Sequence, residues 1–168
     1  MKTENIKFND RIAAIAASDS SEKEKKREII SLATDLLAEE FRPGNELTSP
    51  EKTIDFLRLK IGDYKNEIFG AIFLDKQNRV LSVRELFQGT IDGAAVYPRV
   101  VAQHALDDNA AAVIFFHNHP SGVSEPSRAD EAITRRLSDS LNLLDVCVLD
   151  HFIVTKGRSY SFAQNGLL

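Results

Sequence analysis

The 168-residue chain has a single cysteine, Cys147, so no disulfide can form within it. That cysteine lies in the apolar stretch Val146-Cys147-Val148-Leu149 and is expected to be a small core residue. No apolar run approaches the ~20 residues of a membrane-spanning helix, and Met1 to Asp10 lack the apolar centre of a signal peptide. The expectation is a cytoplasmic protein that engages no membrane. An excess of positive charge is also missing. A formal net charge of -4 and a pI of about 5.6 offer no overall attraction to a phosphate backbone, so nucleic acid is expected to be a weak partner, through a local basic patch only. Repeats and low-complexity segments are absent. What is present is a chain 43% hydrophobic, sized for one domain with a full core.

Periodicity divides that chain into helices and strands. Residues 11–17 read as a short helix interrupted by Ser18-Asp19-Ser20-Ser21. Ser21 with Glu24 makes a capping-box pattern, and Ile29, Ile30, Ala33, Leu36 and Leu37 recur at helical spacing, which predicts a second helix to about Phe41. Its Lys23, Lys25, Lys26 and Arg27 alternate with Glu22, Glu24 and Glu28, as on a solvated face. Arg42-Pro43-Gly44-Asn45 breaks the helix and is the candidate linker between a helical extension, 1–45, and a main domain, 46–168. Ser49 and Pro50 signal another helix that ends near Gly62. Glu67 to Leu74 and Arg79 to Phe87 then form a hairpin around Asp75-Lys76-Gln77-Asn78. A helix from Pro98 to about Leu106 leads to an apolar strand ending in Phe115-Phe116, and Val146 to Thr155 and Ser159 to Phe162 supply the last strands. Helices on a mixed sheet give an α+β or three-layer α/β architecture.

The chemistry gathers after the strand that contains Val113, Ile114, Phe115 and Phe116. There His117-Asn118-His119-Pro120 is followed by a loop rich in Pro, Gly and Ser, and then by Ser127-Arg128-Ala129-Asp130 at a helix start. Side chains alternate along a strand, so His117 and His119 project from one face, and a carboxylate in the helix's first turn can swing back to them. Two His and one Asp suit zinc, and three protein ligands leave the fourth tetrahedral position open, a catalytic rather than structural count. A plainer reading gives the histidines local hydrogen bonds and makes Ser127 a helix cap, with Asp130 favoured by the helix dipole.

The pattern His-x-His, seven residues, Ser, two residues, Asp resembles the signature of the JAMM (MPN-plus) metalloproteases, and its surroundings resemble the RadC family. The likeness extends to Glu85-Leu86-Phe87-Gln88-Gly89-Thr90-Ile91, Val96-Tyr97-Pro98-Arg99, Asn109-Ala110-Ala111-Ala112, Leu149-Asp150-His151 and Ser161-Phe162-Ala163, covering about residues 46–168. It implies a JAMM/MPN (cytidine-deaminase-like) fold in which His117, His119 and Asp130 hold one zinc per chain. It further implies that Ser127 assists and that a Glu on an earlier strand, by position Glu67, is the general base; Glu85, on the partner strand, is the next candidate should Glu67 not serve. The helix-hairpin-helix module that many RadC-like chains carry before this domain has no counterpart in residues 1–45, so the family's association with DNA repair transfers poorly.

Zinc in such a site yields a nucleophilic water near neutral pH, and a carboxylate beside it can take the water's proton and pass it to a leaving nitrogen. Ser127 could donate to the oxyanion that develops on an attacked carbonyl. Ser121 reads as a turn residue and His104 as ordinary helix packing or a solvent-exposed side chain. His151 is either a group that orients a metal ligand or a satisfied core histidine. Arg128, Arg135 and Arg136 read as helix-surface charges. The expected function is a zinc-dependent metallopeptidase acting on a peptide or isopeptide bond in a peptide or protein substrate. The alternatives are a DNA-associated factor, such as a metal-dependent nuclease, and a zinc-bearing interaction domain without turnover.

Overall fold

Ile68–Leu74 (β1) is buried at every position, as a strand with neighbours on both edges and cover on both faces must be. In the computed structural model, which describes residues 2–47, 49–89 and 95–168, β1 pairs antiparallel with Val80–Gln88 (β2) and with Ala112–Asn118 (β3). β3 pairs parallel with Cys147–Val154 (β4), and Ser159–Ser161 (β5) lies antiparallel to β4, giving the order β2-β1-β3-β4-β5. Thr90 and Ile91, part of the stretch after β2 that carries the RadC likeness, lie outside the described residues.

Helices cover both faces. α1 (Lys2–Ala17) and α2 (Glu22–Ala38) precede α3 (Pro50–Ile61), and α4 (Pro98–Asp107) and α5 (Arg128–Asn142) flank β3 in sequence. Residues of β3 separate the layers by alternation. Ile114 and Phe116 pack with Phe56, Leu57 and Ile61 of α3, whereas Val113 and Phe115 pack with Val101 of α4 and Leu137 and Leu141 of α5. The result is a mixed sheet between two helical layers, the three-layer arrangement expected from the sequence. Gly70 of β1 permits the tight middle of the α3 side, because a Cβ there would overlap the Phe116 ring. No helix among the described residues is long and apolar enough to cross a membrane.

Some boundaries differ from the sequence reading. α1 begins at Lys2 rather than near residue 11, since its polar first turns carry no apolar period to read. α2 stops at Ala38, and one 3-10 turn, Glu39–Phe41, delivers Phe41 to stack on Phe56 with ring centroids 4.1 Å apart. The Ser21–Glu24 capping box is formed, with the Ser21 N–H donating to Glu24 Oε2 at 2.9 Å. The candidate linker is tied down: the Gly44 N–H donates to the Val80 carbonyl at 2.8 Å, and the Val80 N–H donates back to Asn45 at 2.8 Å. Cys147 is exposed, which corrects its expected place in the core. It shares with Leu149 the solvent-facing positions at the start of β4, while Val146 and Val148 turn inward.

Candidate metal centre

β3 ends the apolar run with His117, which shares the α5 side of the sheet with Phe115 because the strand period is two. The ring is 1% exposed and stacks on Phe69 of β1, the residue directly across the strand pair. His119 follows just beyond the strand, where its N–H still donates to the Val154 carbonyl of β4 at 3.1 Å. Its side chain is held by the loop that follows: Nδ1–H donates to the Val123 carbonyl at 2.7 Å, which directs Nε2 back toward His117. The two Nε2 atoms are 2.9 Å apart.

Asp130 reaches the same point from the first turn of α5. Oδ1 lies 3.5 Å from His117 Nε2 and Oδ2 lies 3.5 Å from His119 Nε2. Among the described residues, His117, His119 and Asp130 form the one group of three potential ligands, with all three ligand atoms within 4.8 Å of one another. This donor set is compatible with a metal site. Ser127 caps α5 and also clamps Asp130: its Oγ–H donates to Oδ2 at 2.6 Å, its N–H donates to Oδ2 at 2.7 Å, and its Oγ accepts from the Asp130 N–H at 3.1 Å. The capping geometry read as the plainer alternative is therefore present, and it orients the carboxylate that faces the imidazoles.

Burial and charge set opposite protonation tendencies within the cluster. Burial pushes His117 down to about 4; the Asp130 charge offsets part of that, and His119 adds to it. His119 is raised, first by its interaction with Asp130 and against a desolvation penalty, with the Val123 carbonyl and the charges of Asp130 and Glu67 assisting. Burial would raise Asp130, but the His119 hydrogen bond, the His117 charge and the Ser127 donors together hold it well below the usual carboxylate range. One neutral imidazole, one imidazole biased toward the cation and one carboxylate thus face each other.

Glu67 stands one residue before β1, on the side of the sheet that Phe69 shares with His117, and its charge is felt at His119. What brings it there is Asn118, which the sequence reading passed over. Asn118 is fully buried between the two histidines; its Oδ1 accepts the Ile68 N–H at 2.7 Å, and its Nδ2 donates to the carbonyls of Asn66 at 3.2 Å and Tyr64 at 3.4 Å. An amide at the end of an apolar strand needs such partners, and that requirement was the available signal. Thr134, one turn beyond Asp130 on α5, was also passed over; its hydroxyl meets the ring of His151 at 2.7 Å. His151 is fully buried on β4, with Nε2 2.8 Å from His117 Nδ1.

Other sequence candidates lie apart. Glu85 of β2 ion-pairs Lys60 of α3 at 3.2 Å, on the opposite side of the sheet. His104 sits beside Phe73 on α4, and the Ser121 hydroxyl accepts from the Val123 N–H at 3.4 Å within its turn. Arg128, Arg135 and Arg136 are exposed on α5. A groove of about 320 Å³ beside His119 is lined by Tyr64, Lys65, Pro120, Gly122 and Lys156 as well as His119.

A mixed five-stranded sheet between helical layers, ending in this cluster, is the architecture of a JAB/MPN-type domain. The chain belongs to the RadC-like JAB domain family, whose model matches residues 47–167. A UPF0758 protein of Marinobacter nauticus is 52% identical over 139 residues, 83% of this chain and 62% of its own length. One from Vibrio cholerae is 51% identical over 144 residues, 86% of this chain and 91% of its own. One from Thiobacillus denitrificans is 46% identical over 161 residues, 95% of this chain and 72% of its own. The chain thus spans less than two thirds of the first relative and nearly all of the second.

Proposed function

We propose that this domain is a zinc-dependent hydrolase of peptide or isopeptide bonds in a peptide or protein substrate. The observation that carries the reading is the convergence of His117, His119 and Asp130 beside a groove that His119 lines, with Glu67 close enough for its charge to act on His119. Tetrahedral zinc with bonds of ~2.0–2.1 Å requires ligand atoms about 3.3 Å apart. Asp130 Oδ1 lies 3.5 Å from His117 Nε2, Oδ2 lies 3.5 Å from His119 Nε2, and the two nitrogens are 2.9 Å apart, so the three side chains would meet such a site after a small separation of the rings and a turn of the carboxylate. One zinc per chain would be held by these residues, and when bound it would supply a nucleophilic water at neutral pH.

The remaining work falls to the protein. Glu67 accepts the proton of the attacking water and returns it to the leaving nitrogen, which requires a carboxylate rather than an amide. Asn118 fixes the backbone that carries Glu67. Ser127 holds Asp130, and its single hydroxyl proton must leave that carboxylate before it can serve an oxyanion on the substrate. With a net charge of -4 and its exposed lysines and arginines interspersed with carboxylates, the chain is expected to bind nucleic acid weakly and to lose that binding at physiological salt.

The test is a peptide-library cleavage assay with zinc-loaded protein beside the Glu67→Gln variant, with zinc measured in both. Cleavage by the parent, a loss of ~10²- to 10⁴-fold in the variant and equal zinc content are expected. Absence of any cleavage by the zinc-loaded parent counts against hydrolysis. A variant that cleaves at the parent's rate removes Glu67 as the base, and Glu85 cannot replace it from the far side of the sheet.

A further inference from the structure

From the Nδ1 edge of His117 runs a chain of buried polar groups that the proposed reaction does not use. His117 Nδ1 is 2.8 Å from His151 Nε2, His151 Nδ1 is 2.7 Å from Thr134 Oγ1, and Thr134 Oγ1 is 2.6 Å from the carbonyl oxygen of Asp130. His117, His151 and Thr134 are each no more than 1% exposed. The His151 ring is stacked on Phe162 and met edge-on by Phe69 and Phe115, so its two nitrogens supply its polar contacts.

The protons in this chain can be counted. A carbonyl oxygen only accepts, so the one hydroxyl proton of Thr134 goes to Asp130. The contact between Thr134 and His151 must then use a ring proton, and His151 Nδ1–H donates to Thr134 Oγ1. A neutral imidazole carries one such proton, which leaves His151 Nε2 as an acceptor. His117 therefore donates from Nδ1, and its lone pair sits on Nε2, the atom that faces His119 and Asp130. Starting from the other end gives the same answer, because a His117 that offers Nε2 to a metal must hold its proton at Nδ1, where His151 is its partner.

We propose that Thr134 and His151 are positioning residues that hold His117 in the Nδ1–H tautomer and aim its Nε2 lone pair into the cluster. The circuit begins on the main chain of Asp130 and ends beside the side chain of the same residue, which couples the first turn of α5 to the orientation of a ring on β3. His119 is oriented by one direct bond, from its Nδ1–H to the Val123 carbonyl in an exposed loop. His117 is too deep for a loop to reach, and the relay takes the loop's place. The consequence for metal affinity rests on the reading of the cluster as a metal site; the tautomer itself does not.

Two measurements test this. Nitrogen-resolved imidazole spectra of the metal-free protein should show Nδ1–H for both His117 and His151. Zinc competition against a chromophoric chelator should show a loss of ~10- to 100-fold for Thr134→Val and for His151→Phe, the usual scale for removing a group that orients a ligand. Thr134→Ser, which keeps the hydroxyl, and His151→Gln, whose amide oxygen can accept from His117, should recover most of that loss. An Nε2–H signal for His117 in the parent overturns the proposal and needs no variant. So does a folded Thr134→Val that keeps both tautomers and binds zinc as the parent does. If the parent binds no zinc more tightly than Asp130→Ala, the metal reading fails while the spectrum still decides the tautomer.

Discussion

β3 sends Ile114 and Phe116 toward α3, and Phe115 and His117 toward α4 and α5, so adjacent residues of one strand enter two different environments. The α3 side is mostly hydrocarbon: Phe41, Phe56, Leu57, Ile61, Ile72, Phe116 and Phe152 are buried there, and its buried polar side chains, Thr53, Asn118 and Asp150, are hydrogen-bonded to backbone groups. The α5 side has an equally apolar middle, but toward the end of the sheet it buries His117, His151 and Thr134, each with a hydrogen-bond partner. Area buried on the first side stabilises the fold with little demand on direction. Groups buried on the second contribute little net stability and fix direction instead, because each unmet donor or acceptor would cost ~1–3 kcal/mol.

The comparison is broken most directly at positions 116 and 117. Phe116→Ala removes a fully buried ring and should cost ~3–5 kcal/mol in urea unfolding, while the folded fraction keeps the zinc affinity of the parent. His117→Ala should abolish zinc binding yet cost less stability, ~1–3 kcal/mol, chiefly by leaving His151 Nε2 without its donor. If the alanine at 116 weakens metal and the alanine at 117 unfolds the chain, the division between the two sides is wrong.

Ser127 sharpens the comparison because it serves stability and direction at once. Ser127→Ala removes the cap of α5, worth ~1 kcal/mol in a thermal melt. It also removes the hydroxyl that holds Asp130 Oδ2, so zinc affinity should fall together with the melting temperature. An unchanged affinity would make the hydroxyl a cap alone.

The smallest effect is expected at Asp108, at the end of α4, which ties to Arg84 and Ser82 of β2 away from the cluster. Burial raises its carboxyl, but the Arg84 and Ser82 hydrogen bonds and the Arg84 charge outweigh that, leaving it below its usual value. A lowered acid stabilises the fold above its unfolded pKa of ~3.9, and the contribution is lost as pH falls from there through the lower folded value. The Arg84 side chain is more than a third exposed to solvent, so the effect should stay under ~1 kcal/mol. Asp108→Asn should remove that pH dependence from the acid limb and leave zinc affinity untouched.

Much of this could be read along the chain. Apolar period located the five strands and the helix caps, since alternation and capping are local properties of a few neighbouring side chains. The His-x-His spacing at a strand end also set two imidazoles on one face, and Ser127 with Asp130 one turn into a helix was legible as a cap. Cys147 was misread because alternation reports a face without saying which face is covered, and the cover comes from elements distant in sequence. The tertiary structure alone decided what stands behind the site. The parallel pairing of β3 with β4 brings His151 beside His117 from 34 residues away, and α5 closes Thr134 onto it from 17. Asn118 likewise acquires its role only when β1 pairs with β3 and the 64–68 backbone comes within reach of its amide. Sequence determines which groups can ligate or donate; the direction of a buried ring is set by the atoms packed against it, and those atoms are neighbours only in space.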